Sequence, residues 1–181
     1  MSKIGRKPIS FKSAKVDVKD RLITISSPKV KFVHELPEQI SVVLKPNLLK
    51  LDMKENTREN RILLGLHRAL IANKIKGVEI GFEQKLTIVG LGFKAQLAGK
   101  NLTFNLGYTH KIDLALPDGI SVEIDKTGQH IIVRSADKFL LGNVCDRIRS
   151  FRFPEPYKGT GIIKENEIIK RKAGKTKVAT A

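Results

Sequence analysis

ELPEQISVVL at residues 35–44 returns as ALPDGISVEI at residues 115–124, a shift of 80 positions. Leu36-Pro37 answers Leu116-Pro117, and Ile40–Val42 answers Ile120–Val122. The same shift lays RLITIS (21–26) over NLTFNL (101–106). Downstream the shift drifts by a few residues. LLKLD (48–52) then answers IIVRS (131–135), and RILLGLHRALI (61–71) answers KFLLGNVCDRI (138–148). Strand, strand, strand, helix therefore occurs twice in one order. A chain with such self-similarity has to make one fold two times.

Each copy reads alike. Runs such as VDV (16–18), LITI (22–25), ISVVL (40–44) and LLKLDM (48–53) alternate apolar and polar residues, as half-buried strands do. TRENRILLGLHRALIANKI (57–75) has helical spacing, with Thr57 to cap its start and Gly77 beyond its end. Ile62, Leu66, Ala69, Leu70 and Asn73 form its expected buried stripe, widened by Leu63, Leu64 and Ile71. In the second copy, strands are expected at 85–89, 93–98, 102–106, 110–116, 120–124 and 130–135, and a helix at 136–151. One helix covers only one face of a sheet. The expected fold class is α+β: two duplicated small domains, each an antiparallel sheet with one helix packed on one face. The boundary falls in GVEIGFEQ (77–84), dividing the chain into 1–82 and 83–181.

Charge then narrows the partner. The chain carries 34 Lys and Arg against 18 Asp and Glu, a formal charge of +16. Residues 1–15 hold five basic and no acidic side chains, and residues 147–181 hold ten basic and three acidic. The 131 residues between supply only +4. Basic N- and C-terminal tails of this kind suit arms lying on phosphate, and point to nucleic acid ahead of an anionic membrane surface. Cys145 is the one cysteine, so no disulfide forms within the chain, which fits a reducing compartment. Inside a helix it reads as a small core residue. MSKIGRKPIS lacks the apolar run of a secretory signal, and no stretch reaches the ~18 apolar residues of a membrane span. The expected location is cytosolic.

Motifs for catalysis are absent from the sequence. His34, His67, His110 and His130 are scattered, without metal-ligand spacing, and no nucleophile motif occurs. Glu165 and Glu167 read as solvated. No enzyme activity, cofactor, metal or small-molecule substrate is expected. VGLGFKA (89–95) has G-x-G-x-x-A spacing, but a dinucleotide fingerprint needs a helix after the glycines, and FKAQLA alternates like a strand. Gly90 and Gly92 either bend that strand or leave a bare patch where an external backbone comes close, beside Lys94; the second reading suits the charge.

FPEPYKGTGI (153–162) is the most unusual stretch. Arg147, Arg149 and Arg152 lead out of the last helix into Pro154 and Pro156, which fix an extended path. Tyr157 offers a ring for a base or sugar, and Gly159 and Gly161 permit close backbone approach. Lys158, Lys164, Lys170, Arg171, Lys172, Lys175 and Lys177 are placed to track phosphates. The segment reads as a strap that joins no core, so removing residues 154–181 should leave the fold intact.

PEPYKGTGI followed by RKAGK resembles the C-terminal signature of the bacterial large-subunit ribosomal protein L-six family. The resemblance extends to MSKIGRKPI at the start, to residues 77–120 with their G-V-x-x-G-F, L-x-I-x-G-x-G-F and L-G-Y-T-H runs, and to residues 136–159. It implies duplicated α+β domains and a structural role in the large subunit, with large-subunit rRNA and other large-subunit ribosomal proteins as partners. It also implies rRNA contact near the factor-binding region, by the sarcin–ricin loop and the base of the lateral stalk. Carried over by motif, that contact falls on Gly90, Gly92 and Lys94, on Arg149 and Arg152, and on Tyr157, Lys158, Gly159 and Gly161. Thr160 stands where the family has a lysine, and its hydroxyl can donate a hydrogen bond in that lysine's place. A free nucleic-acid-binding regulator is the rival reading, and a nucleotide-using enzyme the third.

Overall fold

The computed structural model describes residues 3–28 and 30–174. It divides into two compact units, one running to Phe82 and including Ala136–Lys138, the other made of Glu83–Ser135 and the chain from Phe139 onward.

In the first unit, α1 (Lys3–Arg6) and the short β1 (Ile9–Ser10) precede a meander of β2 (Lys15–Lys19), β3 (Leu22–Ser26) and β4 (Lys31–Glu35). A hairpin of β5 (Ile40–Lys45) and β6 (Leu48–Met53) follows, then α2 (Arg58–Glu79). Asp20 and Asn47, in the two tight turns, have φ of 51° and 61°, a region that Asp and Asn tolerate better than most side chains. The meander forms one sheet, and β1-β6-β5 forms another. Ile23 and Ile25 alternate with exposed or half-buried neighbours in β3, as Leu49 and Leu51 do in β6. These four residues join Leu64, Ile71 and Ile75 of α2 in the core.

The second unit repeats the order. β7 (Phe82–Val89) precedes a meander of β8 (Lys94–Ala98), β9 (Asn101–Asn105) and β10 (Ile112–Ala115). Then come the hairpin β11 (Ile120–Ile124) and β12 (His130–Ser135), α3 (Lys138–Ser150) and β13 (Gly161–Lys164). β7 lies beside β12 as β1 lies beside β6. The fold class is α+β, and the 80-residue repeat is a repeat of topology.

Each half holds two sheets rather than the single sheet expected. The recurring Leu-Pro explains the break. Leu36-Pro37 follows β4 and Leu116-Pro117 follows β10, and proline cannot donate to a ladder. The chain leaves the meander there and starts the hairpin of the second sheet.

Two further expectations fail on α2. Its buried residues are Asn60, Leu64, Ile71, Ile75 and Gly77. Ile62, Leu66 and Leu70 are exposed instead, by 63%, 51% and 41%. Apolar residues surround this helix, so hydrophobic spacing alone left its inward face undecided. The helix also passes through Gly77 and ends at Glu79, with Ile80 N–H on the Lys76 carbonyl at 2.9 Å. Gly77 is there for room: an added Cβ would fall 1.9 Å from the carbonyl oxygen of Ala136.

The fourth correction bears on function. β13 pairs with β7, Ile162 opposite Ile88, and completes a four-stranded sheet. Ile162 is fully buried. The segment read as joining no core supplies a core strand, and complete burial of such a side chain stabilises by roughly 1.5–3 kcal/mol.

Candidate nucleic-acid interface

Between α3 and β13 the chain makes a closed loop. Ile162 N–H donates to the Arg152 carbonyl at 2.9 Å, Glu155 N–H to that of Thr160 at 2.9 Å, and Gly159 N–H to that of Glu155 at 3.0 Å. The Thr160 hydroxyl donates to Glu155 Oε2 at 3.2 Å, so this residue closes the loop from within. Gly161 has φ of 142°, and a Cβ there would lie 2.7 Å from the Phe153 carbonyl oxygen and from Pro154 Cα. At Gly159, φ 73°, a Cβ would meet the Arg171 guanidinium at 3.1 Å. The close approach these glycines permit is made by the chain itself. Beyond β13 the chain returns, with Lys172 N–H on the Pro156 carbonyl at 2.8 Å. Tyr157 is thereby held at the loop tip, 54% exposed, beside exposed Lys158.

Ion pairs separate the basic residues into two groups. Arg149 grips Glu167 through both Nε and Nη2, which corrects the reading of Glu167 as solvated. Its guanidinium also lies 5.2 Å from the Phe153 ring centroid. The bond from Arg149 outweighs burial and holds the Glu167 carboxyl below its ordinary range. Arg149 thus ties down the tail. Lys164 pairs with Asp146, Lys85 with Glu83 and Glu165, Arg134 with Glu83 and Glu123, and Lys100 with Asp118. Lys94, Arg152, Lys158, Lys170, Arg171 and Lys172 have no carboxylate partner among the described residues. Except for half-buried Arg152, these cations are exposed. Lys175 and Lys177 lie outside the described residues.

The N-terminal segment packs on the first unit. α1 lies against α2, and Phe11 and Ala14 enter the first unit's core. Lys12 and Ser13 donate their backbone N–H groups to Glu79 Oε1 at 2.5 and 2.9 Å. Burial pushes that carboxyl up, and these backbone bonds more than reverse it. The segment is built into the fold.

The glycine loop leads into β8, so the helix terminus that a dinucleotide fingerprint needs is replaced by a strand. Gly90 makes room for the Phe93 ring, which would lie 2.4 Å from an added Cβ. Gly92 has φ of 73° and nothing within 4 Å of a Cβ position, so its surface stays open to a partner. Leu91 between them is fully exposed. Sequence reasoning passed over a ring cluster here: Arg152 lies over both Phe93 and Tyr108, with centroid distances of 5.4 and 5.0 Å. The signal was present in the L-G-Y-T-H run, but only the fold brings residues 93, 108 and 152 together. Cys145 is buried, and burial pushes its thiol up to about 11, so it is a packing group.

Comparison with known proteins covers the same region and then the whole chain. The family model described as "Ribosomal protein L6" matches residues 89–165, from the glycine loop through β13. The protein named "Large ribosomal subunit protein uL6" of Syntrophomonas wolfei is 45% identical over 176 residues, covering 97% of this chain and 98% of the relative. Proteins of the same name from Trichormus variabilis and Borreliella burgdorferi are 40% and 41% identical. The first covers 97% of both chains, the second 98% of this chain and 99% of its own. With such identity over nearly its whole length, the chain belongs to the ribosomal protein L6 family, a family of ribosomal proteins and not of enzymes.

Proposed function

We propose that this protein is a structural constituent of the large ribosomal subunit in the cytoplasm. It binds large-subunit rRNA through a second domain, residues 83–181, while residues 1–82 form a first domain of the same topology. Its contact lies near the factor-binding region, by the sarcin–ricin loop and the base of the lateral stalk, among other large-subunit ribosomal proteins. No cofactor, membrane or small-molecule substrate enters this reading.

The observation that carries it is the sorting of charges. Acidic residues neutralise Lys85, Lys100, Arg134, Arg149 and Lys164, while among the described residues Lys94, Lys158, Lys170, Arg171 and Lys172 of the glycine loop, strap and tail have no carboxylate partner. A run of unpaired Lys and Arg next to an exposed tyrosine matches a polyanion that also presents flat bases. Tyr157, Lys158, Lys170, Arg171 and Lys172 make the contact, with Lys94 and open Gly92 from the neighbouring loop. Gly90, Arg149, Gly159, Thr160 and Gly161 shape the surface that carries them.

Sucrose-gradient sedimentation of a lysate at moderate salt tests this. Cofractionation with large subunits is expected. A pool confined to the top of the gradient would overturn the reading in favour of a free regulator.

A further inference from the structure

Phe93, Arg152, Tyr108 and His110 are in consecutive contact. The Arg152 guanidinium lies over the Phe93 and Tyr108 rings, and Tyr108 stacks on His110 with 6.1 Å between centroids and 22° between planes. The arrangement is held at its base. Phe93 sits against two glycines, Gly90 and Gly107, where added Cβ atoms would lie 2.4 and 2.7 Å from the ring. Tyr108 is fixed by its hydroxyl, which donates to the Phe151 carbonyl at 3.1 Å. Its outer end is open. Tyr108 is 42% exposed and His110 is exposed. Arg152 has no carboxylate partner among the described residues, and Lys111, next to His110, is exposed without one.

Tyr108 and His110 stack toward solvent, so core formation does not explain them. They offer a flat face beside two unpaired cations. A nucleobase with its flanking phosphates has the complementary chemistry: every base has a face to stack, and each is joined to an anion. We propose that Tyr108 and His110, backed by Arg152 on Phe93, form a stacking platform for one unpaired RNA base, with Arg152 and Lys111 meeting the adjacent phosphates. This rests on the reading of the chain as an RNA-binding protein, and adds to it a recognition point outside the strap.

The chain has no tryptophan and two tyrosines, so in full-length Tyr157→Phe all tyrosine emission comes from Tyr108. The probe is the fragment of large-subunit rRNA that the wild-type protein protects from nuclease. Heparin serves as a polyanion without bases. Tyr108 emission is expected to be quenched in step with RNA binding measured by filter retention, and to be unmoved by heparin. Tyr108→Leu is expected to weaken RNA binding roughly 5- to 150-fold and to leave heparin binding unchanged. Tyr108→Phe keeps the ring and loses its tie to the Phe151 carbonyl, and is expected to bind RNA more tightly than Tyr108→Leu does. RNA binding with unchanged Tyr108 emission would overturn the platform and leave the RNA-binding reading standing, as would equal losses for RNA and heparin in Tyr108→Leu. No protected fragment and no RNA binding by the wild type would overturn both.

Discussion

His34 is 8% exposed, with Nε2 3.0 Å from Nδ1 of His67 and Nδ1 3.3 Å from Nζ of Lys74. Burial, then Lys74, then His67 push it down to about 4, and burial also lowers His67. An imidazole lowered on folding takes its proton first in the unfolded chain. Stability is therefore present above the ordinary value of 6.5 and declines as pH falls from there toward about 4. Thermal melting should occur at lower temperature at about pH 5 than at about pH 7, and His34→Gln should flatten that difference. The carboxyls held low, such as Glu79 and Glu167, lose their contribution as pH falls from the ordinary carboxylate value of 4.5, below the comparison of about pH 5 with about pH 7. An unchanged wild-type melting temperature across it would contradict the pairing. The sequence showed four scattered histidines; two meet because β4 and α2 pack together, which no local spacing announces. Gly77 and Gly161 were illegible for the same reason. The atoms they avoid, in Ala136 and in Phe153-Pro154, come close only through the tertiary fold.

β13 is the element whose role the sequence concealed. Its flanking prolines, glycines and lysines are the composition of a tail, and GIIK is too short to carry an alternation. Yet Ile162 is as buried as Leu86 and Ile131. Ile162→Ala should cost about 2–5 kcal/mol in urea unfolding. Deleting residues 154–181 should lower the melting temperature instead of leaving it unchanged. A truncated chain melting like the full one would show that β7 does not need its outer neighbour. Both hairpins and the second meander, in contrast, were readable from alternation and from the Leu-Pro repeat, whereas β4 of the first meander was not singled out. α3 was readable as well, because Leu141, Val144, Cys145 and Ile148 mark a single face. α2 lacked such contrast between faces, and its inward side was read wrongly.

Across the whole molecule, one topology occurs twice, and only the second copy is extended by a strap, an added strand and a basic tail. Most of the motifs that carry the family resemblance lie in that copy, as does the charge left unpaired around the glycine loop and strap. The strap's composition was legible in the sequence; its closure by Glu155, Thr160 and Gly161, and the loss of Arg149 to Glu167, depended on geometry. The central claim is that unpaired cations of the second unit carry RNA affinity. The direct measurement is the affinity of the full chain for large-subunit rRNA as a function of salt. Each lysine on a phosphate adds roughly 0.7 to 0.9 to the slope of log affinity against log salt. Lys158→Gln, Lys170→Gln and Lys172→Gln together should reduce that slope by about 2 to 3. Lys19→Gln, Lys45→Gln and Lys54→Gln, which remove equal charge from exposed positions of the first unit, should leave it nearly unchanged. Equal reductions from both sets, or none from the first, would contradict the account.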